Sequence, residues 1–512
     1  MKKRCFILVV ISISLVLISS NLVAMSSDPV EEEWQWEEST PEEQGIDSEK
    51  LIGVLDYIED NNTELTSLLI MRNGELVTEV YYPPYEQEDE TKIYSVTKSV
   101  ISSLIGIALE EGYIESIEQP ASEFFSEYYT EDMDPKEKEI TIENLLMMAA
   151  GYEFGDGNLI PYKIPSDVAF LEQLITRSLV DQPFSQAGEE FIYDNFNSDL
   201  LAAILTESTG MSVVEFAEEY LFNSIGINNL EWDNMSDMLE ADKDYYSGAA
   251  GLYLTTREMA KFGQLHLNNG YWDEKEVVPE DWINSSTQKR IEDPRRYYDY
   301  GYHWWVAENG YLASGHGGQN IKVIPELDMV IVTSAMTNHN SVYNIINNIS
   351  SAVEGETLEG NEQAVERLEE RINRIENPES EERGYSSNQA SYMAGNVYNF
   401  EANDWGIESL KFDDNDEEKV YLTLNDESDQ TMGFSLNGDY YTSSLETEGF
   451  LSTVSIKGEW INDDSLNIKT IFKEAQGFYD MDITVSDESI TLYLRNMPYG
   501  NGDILTGELE ND

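Results

Sequence analysis

Lys92-Ile93-Tyr94-Ser95-Val96-Thr97-Lys98-Ser99-Val100-Ile101-Ser102-Ser103-Leu104-Ile105-Gly106-Ile107-Ala108 is the stretch that decides how this chain reads. An extended piece, Lys92 to Tyr94, runs into apolar residues at 96, 100, 101, 104, 105 and 108, the spacing of a helix from Ser95 to Glu111. Ser95 and Lys98 then lie one turn apart on one face. The unpaired amides of a first helical turn favour negative charge developing beside them. A hydroxyl next to an amine base, under such amides, is what nucleophilic catalysis by serine requires. The S-x-x-K spacing alone is weak, because Ser286-Thr287-Gln288-Lys289 repeats it in a polar stretch with no apolar helix behind. The plainer reading of Ser95 is an N-cap serine.

Two further constellations lie downstream. Tyr193-Asp194-Asn195 precedes a predicted helix over 198–209, and residues two apart in an extended segment point the same way. A phenol near an ammonium can pass protons; the alternative is a core tyrosine and a helix-start asparagine. Gly315-His316-Gly317-Gly318-Gln319 separates two predicted strands, where glycines let a substrate lie close to the backbone. A tight hairpin is the plainer reading.

The flanking pattern predicts one sheet drawn from both ends of a domain. Leu65 to Met71 and Leu76 to Tyr82 are apolar runs joined by Arg72-Asn73-Gly74-Glu75, a hairpin signal. A helix is expected over 47–59, another over 213–221, strands at 311–315, 319–324 and 329–335, and a helix over 341–353. Residues 1–26 read as an export signal, with Lys2, Lys3 and Arg4 ahead of an apolar run from Phe6 to Ile18. Residues 27–43 form an acidic, mobile lead-in, and 44–355 are the catalytic candidate domain. Residues 356–385 are a charged helical linker with Val365, Leu368, Ile372 and Ile375 at helical spacing. Residues 386–512 are an all-β unit of short strands and turns. The expected location is extracellular, with an uncleaved N-terminal segment as the alternative anchor.

The chain has 512 residues, and 41% hydrophobic content supplies ample core for more than one domain. With 100 acidic residues against 30 basic ones, a net charge of −70 excludes nucleic acid and anionic lipid as main partners. Self-repulsion on that scale is relieved by concentrated salt, so a halophilic protein is expected; the plainer reading is an ordinary acidic secreted protein. Four His and one Cys, Cys5 inside the signal, argue against a metal site and against disulfides in the mature chain. No cofactor is expected.

Ser95-Val96-Thr97-Lys98, Tyr193-Asp194-Asn195 and His316-Gly317-Gly318, in that order, resemble the three motifs of the serine β-lactamase and penicillin-recognising family. The likeness is to its branch of class C β-lactamases, esterases and 6-aminohexanoate-dimer hydrolases, and it covers about residues 44–352. Leu145 to Gly151, Gly251 to Gly263 and Tyr300-Gly301-Tyr302-His303-Trp304-Trp305 are similar to the esterase and oligomer-hydrolase members. The resemblance implies an α+β fold: an antiparallel sheet flanked by helices, with an all-helical subdomain. It makes Ser95 the nucleophile, Lys98 its base and Tyr193 a proton relay. Asn195 then orients Lys98 or the substrate, and the backbone amides of Ser95 and Gln319 form the oxyanion hole. His316, Gly317 and Gly318 would line the substrate site. True β-lactamases carry Lys-Thr-Gly there; His316-Gly317-Gly318 offers neither a fixed cation nor a hydroxyl, which favours a neutral or cationic ester or amide. The C-terminal unit, with Gly458-Glu459-Trp460, resembles a lipocalin-like domain. The readings left open are a small-ester or amide hydrolase, a D-amino-acid or peptide amidase or penicillin-binding-type peptidase, and a non-catalytic binding or sensory homologue.

Overall fold

The computed structural model describes residues 36–126, 138–151, 186–235, 244–293, 298–337 and 339–378. In the C-terminal unit it describes 393–403, 407–413, 419–424, 431–436, 438–447, 450–462, 465–473, 477–486, 489–497 and 501–510. The expected signal segment lies outside the described residues.

Helix α1 (Ser48–Asp60) starts where Asp47 accepts the amides of Glu49 and Lys50, and it buries Leu51, Val54, Leu55 and Ile58. Strands β1 (Leu65–Arg72) and β2 (Glu75–Tyr81) follow. Asn73 (φ 52°) and Gly74 (φ 81°) make the left-handed turn that an Asn-Gly hairpin predicts. The chain then forms α2 (Thr97–Glu110), α3 (Ile142–Leu146), α4 (Asn195–Thr209), α5 (Val213–Ala217), α6 (Thr256–Leu267) and α7 (Glu280–Ser286). It returns as β3 (Ile291–Glu292), β4 (Asp299–Tyr300), β5 (Trp305–Ala307), β6 (Gly310–Gly315), β7 (Gln319–Ile324) and β8 (Met329–Ala335). These strands form one sheet in the order β2-β1-β8-β7-β6-β5-β4-β3, each neighbouring pair antiparallel. First and last strands of the domain therefore meet at β1–β8, as the sequence predicts.

Helix α8 (His339–Ser350) joins α1 on one face of the sheet, where Leu55, Ile58, Ile70, Ile331, Val342 and Ile345 share a core. On the other face α6 lies so close that a β-carbon on Gly263 would meet Ile321 and Val330. Helix α4 packs against α2, α3 and α5, and α7 against α2.

Two sequence expectations change. The described part of the lead-in is packed: Ser39 and Leu76 bond through their backbones, and buried Glu42 accepts from the Ser48 amide and hydroxyl. The predicted linker helix, α9 (Glu362–Glu376), is no spacer. Leu368 joins the core under α1, while Arg367 pairs with Glu49 and Arg371 with Asp56 and Glu59. Helical spacing reports a sticky face without naming its partner, and here α1 is the partner.

The all-β unit is a separate ten-stranded antiparallel sheet, nearly closed into a barrel. Its strands are β9 (Val397–Phe400), β10 (Ile407–Phe412), β11 (Lys419–Leu424), β12 (Thr431–Ser435), β13 (Tyr441–Thr447), β14 (Phe450–Asn462), β15 (Ser465–Phe472), β16 (Gly477–Val485), β17 (Ser489–Met497) and β18 (Asn501–Leu509). They run in the order β12-β11-β10-β9-β18-β17-β16-β15-β14-β13. Ten strands against a lipocalin's eight make the likeness to lipocalins a loose one. Leu410, Val420, Phe434, Ile456, Ile468 and Leu492 fill its core. The barrel rests on the α+β domain through Ile471 against Tyr85 and Met336, and through ion pairs Lys469–Glu64 (2.6 Å) and Lys473–Asp89 (2.8 Å).

Candidate active site

Ser95 does not cap α2. It sits in the 3-10 turn Tyr94–Val96 just before the helix, after Tyr94 has taken a left-handed conformation (φ 47°). Such backbone strain in a bulky residue persists only where its surroundings fix it. Here the Ile93 amide is bound to the Leu252 carbonyl and the Val96 amide to the Ile93 carbonyl. The turn presents the serine beside Lys98, which is 1% exposed and buried among polar partners. Its Nζ donates to Ser95 Oγ (3.1 Å), Asn195 Oδ1 (2.8 Å) and the Ala249 carbonyl (2.7 Å). A buried ammonium needs such acceptors to offset lost hydration.

Asn195 reaches Lys98 because Asp194 caps α4, accepting the Phe196 amide (2.9 Å) and making Asn195 the first helical residue. Tyr193, half-buried, meets the ammonium with its ring: Nζ lies 5.1 Å from the ring centroid, a cation–π contact. Its ring stacks on Trp305 (5.8 Å, 16°) in an aromatic wall with Phe191 and Tyr300. Hydrogen bonds thus join Ser95, Lys98 and Asn195, while Tyr193 meets Lys98 through its ring face and not through its hydroxyl.

The glycine motif forms the hairpin between β6 and β7. Gly315, paired with Gln319, comes closest to Ser95: a β-carbon there would sit 3.2 Å from the Ser95 amide nitrogen and would collide with the Ile93 carbonyl. Gly317 (φ 80°) and Gly318 (φ 108°) instead face Ala335 and Val342 behind the hairpin, so their glycine requirement comes from turn geometry and packing. Gln319 is buried, its side chain donating to the His316 and Ala335 carbonyls and accepting from Ser334 and the Ala335 amide. It braces the hairpin against β8. His316 is exposed, its ring edge-on to Tyr94 (5.6 Å).

Three residues to which the motifs gave no role complete the site, His303 among them although it lies in a quoted motif. Ala249 acts through its carbonyl. Buried Asp199, on α4, accepts from the Ala249 amide (3.0 Å) and the Ser247 hydroxyl (3.2 Å). Burial pushes its carboxyl up to about 6, against the opposing pull of Lys98 and both donors. His303 (φ 59°) ties three segments together: its amide donates to Leu146, its carbonyl accepts from Ser99, and Nε2 meets Ser198 Oγ (3.0 Å). Burial, aided by the Lys98 charge, lowers its pKa to about 3, so it is neutral at physiological pH. Among the described residues no group of three or more His, Cys, Asp or Glu side chains is placed to hold a metal ion.

The family model named Beta-lactamase matches residues 56–353. A 6-aminohexanoate-dimer hydrolase of Paenarthrobacter ureafaciens is 23% identical over 292 residues, covering 52% of this chain and 71% of its own. A putative 6-aminohexanoate-dimer hydrolase from Bacillus anthracis superposes with a TM-score of 0.51 at 21% identity, over 66% of this chain and 88% of the other. A putative β-lactamase from Bacteroides dorei gives 0.50 at 13% identity, over 60% and 99%.

Proposed function

Since the chain belongs to the β-lactamase family of hydrolases, we propose that it is a serine hydrolase cleaving small neutral or cationic esters or amides through a covalent Ser95 ester. The observation that carries this reading is the Lys98 side chain held 3.1 Å from Ser95 Oγ by Asn195 and Ala249. In its neutral form that amine takes the Ser95 proton as Oγ attacks the carbonyl carbon. Tyr193, against Lys98, hands its hydroxyl proton to the departing alcohol or amine and regains one from Lys98, which returns the amine to its neutral form. The Ser95 amide and one from the 315–319 hairpin stabilise the oxyanion. Water then attacks the acyl group, releasing the acid and restoring Ser95.

The missing Lys-Thr-Gly cation and a net charge of −70 favour uncharged or cationic substrates over penicillin-like carboxylates. The Paenarthrobacter relative's name denotes an amide substrate, so short linear amides belong beside esters in the test. The N-terminal sequence supports export, and the acidity supports a saline setting.

The test is the release of p-nitrophenol from p-nitrophenyl acetate in high salt, with a linear amide and a β-lactam in parallel. An initial burst that Ser95→Ala abolishes is expected, with the β-lactam the poorest substrate. A folded protein with no burst and no fluorophosphonate labelling would leave the non-catalytic reading standing.

A further inference from the structure

Helix α4 grips the Lys98 ammonium twice. Asn195 does so directly (2.8 Å), and Asp199, four residues on along the same face, does so through Ala249. The Asp199 carboxylate holds the Ala249 amide, and the carbonyl of that same residue accepts from Lys98 at 2.7 Å. The 247–249 segment is pressed onto α4 at Gly248, where a β-carbon would strike the Ser198 carbonyl. The flanking residues are pinned elsewhere, Ser247 by the Asp233 carbonyl and the Trp232 indole and Gly251 by the Asp233 amide, while the Ala249 amide itself is held by the carboxylate.

Resting on the assignment of Ser95 and Lys98 as nucleophile and base, we propose that Asp199 is a positioning residue: its negative charge fixes Ala249 so that the Ala249 carbonyl keeps Lys98 in line with Ser95. A charged carboxylate is the stronger acceptor for the Ala249 amide, so protonation loosens the anchor. The groups that face it are Lys98 from α2, Asp194 from the cap of α4, the Ser247 hydroxyl and Ala249 amide from the adjoining segment, and neutral His303, bonded to neighbouring Ser198. Burial outweighs the lowering pull of Lys98 and the two donors and pushes the carboxyl up to about 6. Activity therefore carries an inflection near that pH, falling on the acid side.

Asp199→Asn keeps an oxygen acceptor and removes the charge. The expected result is a kcat for p-nitrophenyl acetate lowered about tenfold at alkaline pH, KM nearly unchanged, and no inflection near pH 6. A merely structural role would lower thermal stability while the inflection persisted. Ser247→Ala, a milder change, removes a donor that favours the charged form; it should move the inflection up by about half a pH unit. Asp199→Asn with wild-type kcat and pH profile overturns the proposal, as does an unmoved inflection in Ser247→Ala if the first variant does not fold. A wild-type burst lost in Ser95→Ala shows that such a result counts against Asp199 alone. Absence of that burst overturns the nucleophile assignment and this proposal together.

Discussion

Replacing Gly315 with alanine perturbs the site through one carbon atom. Gly315 has ordinary extended angles (φ −111°, ψ 163°), so alanine meets no backbone strain there. Its β-carbon, however, would fall against the Ile93 carbonyl, 3.1 Å from Gln319 Cβ and 3.2 Å from the Ser95 nitrogen. Restoring an ordinary contact of about 3.4 Å displaces the 93–95 backbone from the hairpin by about 1 Å. A misplacement of that size at reacting groups costs about 100-fold in rate. The accompanying overpacking costs about 1–3 kcal/mol of stability. Stopped-flow measurement of the p-nitrophenolate burst gives the acylation rate directly. Gly53→Ala is the control: it lies in α1 with nothing within 4 Å, and should leave the rate unchanged while adding about 0.5–1 kcal/mol of stability. A folded Gly315→Ala protein acylating within about threefold of wild type would refute the close approach of hairpin and nucleophile.

Other outcomes follow from the same contacts. Asn195→Ala removes one of three acceptors around Lys98 and should lower kcat more than it raises KM, by about tenfold or more, read from steady-state kinetics. His266 is buried, bonded to Ser103 and the Phe262 carbonyl, and burial lowers its pKa to about 4. The unfolded imidazole binds its proton near 6.5, so this contribution to stability is complete above that pH and lost as pH falls toward about 4. On the order of 3 kcal/mol disappears over that window, and His266→Gln should flatten the acid slope of Tm by a corresponding amount. A net charge of −70 predicts a higher Tm in multimolar salt than in about 0.1 M; the opposite order would remove the halophilic reading.

Much of the architecture was legible where the local signal and tertiary context agree. Asn73-Gly74 can hardly do other than turn a hairpin, and the apolar runs at 311–315, 319–324 and 329–335 are strands with nearly those bounds because they are buried throughout. The predicted helix over 213–221 is less regular: α5 ends at Ala217 and a wider π turn spans Glu218–Phe222, which apolar spacing does not encode. In the barrel, Tyr441–Thr447 and Asn501–Leu509 carry only a weak strand signal, because Ser, Thr, Gly and acidic residues dilute their alternation.

The site divides in the same way. Ser95 and Lys98 announce themselves because one turn joins them, whereas Asn195 reaches Lys98 as the first residue of α4 and not from the extended segment expected before residue 198. Ala249 carries no side-chain signal, since its carbonyl does the binding. Asp199 could have been suspected as an acid within the buried stretch Phe196 to Thr206, but its partners lie about 50 residues away and only the fold brings them together.

The convergence of Ser95 with Lys98 is tested most directly by mapping a fluorophosphonate adduct by peptide mass spectrometry in wild type and in Lys98→Ala. The adduct is expected on Ser95 alone in wild type, and its formation should slow by two orders of magnitude or more, roughly, without the amine. An adduct on another serine, or equal labelling rates in a folded Lys98→Ala protein, would contradict it.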